Sequence, residues 1–146
     1  MGAVASAVRL GGGQVIGIMP ECLREREAAN PHTAELRIVG SLHERKAHMA
    51  ELADAVVALP GGFGTLDELF EALTWVQLGR HATRRVGLLN VDGYFDPLLA
   101  FVQHAAAEGF VTPLDADLLI ARPDPAALLA ELVVDGLPTV ASVSRS

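Results

Sequence analysis

Five short apolar runs alternate with helix-length stretches, and this alternation constrains the fold more than any other feature of the sequence. The runs are Gln14–Met19, Leu36–Val39, Ala55–Leu59, Val86–Asn90 and Leu118–Ala121. Each is too short for a helix and, Arg37 apart, apolar along most of its length, which predicts strands buried on both faces. Between them, Ala3–Leu10, Leu42–Asp54, Thr65–Leu78, Phe95–Ala107 and Pro125–Val133 read as helices. The clearest is Thr65–Leu78, where Leu66, Leu69, Phe70, Leu73 and Val76 recur every three or four residues before Gly79. Gly11–Gly13 reads as a helix-ending run, Pro20 as a strand stop, and the mixed-charge segment Glu21–Glu35 as an exposed loop. Strands that need cover on both faces and are joined by helices pair in parallel through right-handed crossovers. The predicted class is therefore α/β, a parallel sheet with helices on both faces in three layers. At 146 residues and 51% apolar composition there is room for one core, predicted as a single domain over 1–134 with a frayed tail at 135–146.

Charge narrows the partners. A net charge of −7 opposes nucleic acid and anionic membranes, both of which require a positive field. No apolar run reaches the roughly 18 residues of a membrane helix. Cys22 is the single cysteine, so neither an intrachain disulfide nor a cysteine-based zinc site can form, and a reducing cytoplasm fits. The expected partner is a small molecule.

In a parallel α/β sheet ligands bind beyond the carboxyl ends of the strands. The stretch "LPGGFGTLDE", Leu59–Glu68, lies at such an end. Gly61, Gly62 and Gly64 allow backbone N–H groups to approach an anion, and the start of the next helix adds a favourable dipole. Thr65-x-x-Glu68 has the spacing of a helix capping box, which is the structural reading of Glu68. A carboxylate beside a phosphate-binding turn also suits proton handling or a developing positive charge. Asp67 reads as a solvated first-turn acid. In "HERKAHM", Arg45 and Lys46 supply cations early in a helix, and Arg45 can fork onto a phosphate or ribose oxygen. Glu44 and Lys46 also fit a solvated face. His43 and His48 are five apart, about 140° around a helix, which argues against a shared metal. His32, His81 and His104 have no partners at ligand spacing.

Together, "HERKAHMAELADAVVALPGGFGTLDELFEALTWVQLG" and "VGLLNVDGYFD" resemble the Lonely guy family of cytokinin riboside monophosphate phosphoribohydrolases, whose members have been labelled lysine decarboxylases. The selective part is the Arg-Lys pair combined with Pro-Gly-Gly-x-Gly-Thr-x-x-Glu. The resemblance implies a Rossmann-like fold, a homodimer, and hydrolysis of the N-glycosidic bond of a nucleoside monophosphate without metal or organic cofactor. It assigns catalysis to Arg45 and Glu68, the phosphate to Gly61, Gly62, Gly64 and Thr65, and the pocket lining to Lys46 and Met49. Family members carry a further strand-helix-strand unit before the point where this sequence starts, so an N-terminally shortened member is expected. A general AMP nucleosidase and a non-catalytic carrier of a phosphorylated ligand such as molybdenum cofactor are the competing readings. A lysine decarboxylase is disfavoured, because Lys46 is the only lysine and belongs to the Arg-Lys pair.

Overall fold

The computed structural model describes residues 2–23, 35–80 and 85–136. The expected loop beyond Leu23, His32, His81 and the tail after Gly136 lie outside them. The chain divides into two compact units at Leu52/Ala53.

The first unit opens with helix α1, Gly2–Leu10. Gly12 ends it at φ +82°, its N–H donating to the Arg9 carbonyl while Gly13 N–H reaches the Val8 carbonyl at 2.8 Å. That pair of bonds is a Schellman cap, which requires a left-handed residue and explains the glycine. Strand β1, Ile16–Pro20, pairs in parallel with β2, Glu35–Val39. A single 3-10 turn, Glu21–Leu23, follows β1. The strand does end at Pro20, but the proline is its last residue and not the first beyond it: it is paired with Val39 and fully buried. Its missing N–H is tolerated at a strand end. Helix α2, Leu42–Leu52, packs on this two-stranded sheet.

The second unit holds a three-stranded parallel sheet in the order β3 (Val56–Ala58), β4 (Val86–Leu89), β5 (Leu119–Arg122). Its helices are α3 (Phe63–Gln77), α4 (Asp96–Ala107), the single turn α5 (Pro113–Ala116) and α6 (Pro125–Gly136). The sequence reading missed α5. Alternation along β4 sorts the helices into layers. Val86 and Leu88 are sealed on one face with Leu69 of α3 and Phe95, at the start of α4. Gly87 faces Leu128 and Leu132 of α6, so closely that a methyl group there would lie 2.8 Å from Leu132 Cδ1. Helices therefore cover both faces of the parallel sheet, as the alternating pattern requires. This is the Rossmann-like three-layer arrangement.

Candidate active site

With all three strands of the second unit parallel, Ala58, Leu89 and Arg122 end along one edge of the sheet. The β3–α3 and β4–α4 connections leave from that edge, where such sheets hold their ligands.

The β3–α3 connection contains the glycine turn. None of Gly61, Gly62 and Gly64 has positive φ, so the backbone conformation does not demand glycine there. Space does. A Cβ on Gly61 would collide with Thr65 Oγ1. At Gly62 and Gly64 a Cβ would meet nothing within 4 Å, so these two glycines leave bare the region over the start of α3. That helix has 15 residues, Gly62 as its N-cap at φ −91°, no side-chain capping bond and no acid in its first turn. Its first intrahelical bond runs from Leu66 N–H to the Gly62 carbonyl at 3.1 Å. The N–H groups of Phe63, Gly64 and Thr65 precede it and have no intrahelical acceptor. A long uncapped helix that begins in bare glycine backbone has the properties of an anion site.

This geometry overturns two expectations. The helix starts at Phe63, not Thr65, because glycine at the cap position lets the chain turn helical earlier. Thr65 is therefore the third helical residue, and the Thr65-x-x-Glu68 capping box does not form. Asp67 belongs to the second turn instead of the first and is exposed. Glu68, partly buried, follows Gly64 by four residues and so shares its face of the helix, one turn on.

A residue that the sequence reading did not single out touches the turn. Tyr94 Oη donates to the Gly61 carbonyl at 2.6 Å. Tyr94 ends a 3-10 turn, Val91–Gly93, in which Asp92 and Gly93 both have positive φ, 50° and 71°. Asn90 braces this loop: its side-chain oxygen accepts from Phe95 N–H at 2.7 Å and its amide donates to Asp96 at 2.7 Å. The available signal was "NVDGYFD", an Asn and an Asp-Gly turn at a strand end.

Arg45, Lys46 and Met49 belong to the first unit, on α2, where all three are partly buried. Arg45 and Met49 are four apart and share a face. A cap fixes the start of this helix. Ser41 Oγ accepts from Glu44 N–H at 3.1 Å, and the Glu44 carboxylate accepts from Gly40 N–H at 2.7 Å. Glu44 thus caps the helix from an exposed position.

A family model described as possible lysine decarboxylase matches residues 1–132. The chain belongs to that family. The relatives it resembles include a probable cytokinin riboside 5'-monophosphate phosphoribohydrolase of Oryza sativa subsp. japonica, 54% identical over 90% of this chain and 58% of the relative. A second rice protein with the same printed name is 51% identical over 90% of this chain and 53% of its own length. A cytokinin riboside 5'-monophosphate phosphoribohydrolase of Arabidopsis thaliana is 48% identical over 90% of this chain and 61% of its own. The Lonely guy resemblance is borne out by these names. The chain spans a little over half the length of these relatives.

Proposed function

We propose that this chain carries the chemistry in its relatives' names: hydrolysis of the N-glycosidic bond of a nucleoside 5'-monophosphate, either a cytokinin riboside monophosphate or AMP, to free base and ribose 5-phosphate. The observation that carries the proposal is the bare, uncapped start of α3 with Glu68 one turn along the same face. The N–H groups at Gly62–Thr65 hold the phosphate, and the carboxylate serves the ribose. As the bond from C1' to the base nitrogen breaks, positive charge develops on the ribose, and a nearby carboxylate stabilises it. Water then adds at C1', giving up a proton to a base of the Glu68 type, and the departing nitrogen base takes up one proton, so that the free base is released neutral. The family resemblance gives Arg45 the role of holding a phosphate or ribose oxygen and makes Lys46 and Met49 further substrate-binding residues. The reaction balances as a hydrolysis and requires no redox partner.

The working form is a cytoplasmic homodimer. Large apolar side chains on the second unit remain open to solvent, among them Phe101 at 60%, Phe110 at 86% and Leu114 at 81%, more than an isolated surface needs. Among the described residues no helix is long and apolar enough to cross a membrane.

Incubation with AMP and with an N6-prenylated AMP, followed by chromatography, tests the reaction. Free base and ribose 5-phosphate in equal amounts are expected, and the ratio of the two rates gives the base preference. Release of inorganic phosphate alone, or binding of both nucleotides without turnover, rejects the proposal.

A further inference from the structure

We propose that Tyr94 is a positioning residue that sets the direction of the Gly62 N–H by holding the Gly61 carbonyl. The consequence for binding rests on reading the glycine turn as the phosphate cradle. The carbonyl of Gly61 and the N–H of Gly62 belong to one planar trans peptide and point in opposite directions. A hydrogen bond that fixes the carbonyl therefore fixes the N–H, turned away from Tyr94. Glycine backbone needs such a constraint, because it has more conformational freedom to lose than any other residue.

The anchor is itself well held. Phe95, next in sequence, is 1% exposed, and its ring meets that of Tyr94 edge-on, with centroids 5.0 Å apart at 86°. Asn90 ties the Phe95 N–H to the strand end. The two left-handed residues before Tyr94 fix the path of the chain. Gly93 has φ +71°, a conformation that side-chain-bearing residues rarely adopt, and a Cβ there would lie 2.6 Å from Asp96 Oδ2, so the loop favours glycine. Tyr94 is 51% exposed, and water could satisfy its hydroxyl. Instead it reaches a backbone carbonyl 33 residues away in sequence at 2.6 Å. The bond joins the loop after β4 to the loop after β3, so a rigid, core-anchored loop steadies a glycine one. Preorganised N–H groups of this kind contribute most when they need not reorient on binding.

Tyr94→Phe removes the hydroxyl and leaves the ring in place. In the full chain, the 15N order parameter of the Gly62 amide is expected to fall from about 0.85 to below about 0.6, the range separating rigid from flexible backbone. The KM for AMP should rise about tenfold with kcat within about threefold, because a loosened cradle loses ground-state binding. An unchanged Gly62 order parameter overturns the inference, whatever the activity. A fallen order parameter with unchanged KM also overturns it, making the bond architectural only. If the wild type does not hydrolyse AMP, the proposed function fails separately, and the dissociation constant for inorganic phosphate replaces KM: weakening of about tenfold supports the inference, while no change overturns it. A wild type that binds no phosphate overturns both readings.

Discussion

Ser41-x-x-Glu44 and Thr65-x-x-Glu68 are the same four-residue pattern, a hydroxyl followed three positions later by a carboxylate. Only the first caps a helix. The difference lies in the preceding residues: Pro60, Gly61 and Gly62 carry α3 into helical conformation two residues before Thr65. Pattern matching at this scale found the wrong box and treated the real one as solvated surface, because cap position depends on where the backbone turns and not on spacing alone. The correction removes the helix-capping reading of Glu68. Ser41→Ala should then cost about 1 kcal/mol, the usual scale for a lost cap, measurable by urea denaturation; no change would reject the cap. A Cβ at Gly62 meets nothing within 4 Å, so Gly62→Ala should leave the fold intact, yet crowd the exposed amides and weaken phosphate binding about tenfold, one decade being about 1.4 kcal/mol. Binding as tight as in the wild type would place the anion elsewhere.

At the scale of elements, every strand and every long helix among the described residues was legible, since period and length survive packing. Boundaries moved where local chemistry decided. Pro20 joined its strand because a strand end does not need the missing N–H. The short α5 went unread although "TPLD" carries its signals. Thr112 caps it by accepting from Asp115 N–H at 3.1 Å, and Pro113 fills the first helical position. The Tyr94 contact was not legible, because a side chain bonded to backbone 33 residues away leaves no local period. Packing between β4 and α6 makes a sharp prediction. With Leu128 and Leu132 pressed onto Gly87, Gly87→Ala overpacks the layer and should cost about 1–3 kcal/mol. Leu69→Ala on the opposite face, where the side chain is 2% exposed, should cost about 2–5 kcal/mol through the cavity it leaves. Urea melts check both, and a neutral Gly87→Ala would show that α6 can shift away from the sheet.

For the whole molecule, the net charge of −7 argues against a general nucleic-acid or anionic-membrane binder, and the relatives are named for small-molecule chemistry. The homodimer proposal is checked by light scattering at micromolar concentration, where about twice the mass of one chain is expected and a monomer would reject it. The central claim is that Glu68 acts on the ribose of a phosphate-anchored nucleotide, and AMP turnover by Glu68→Gln tests it most directly. Glutamine keeps the shape and most of the hydrogen bonding of glutamate but neither accepts a proton nor balances positive charge. The variant should melt and bind AMP like the wild type while kcat falls at least about a hundredfold, the low end for losing a general acid or base. A folded Glu68→Gln protein that still releases base and ribose 5-phosphate at the wild-type rate would contradict the account.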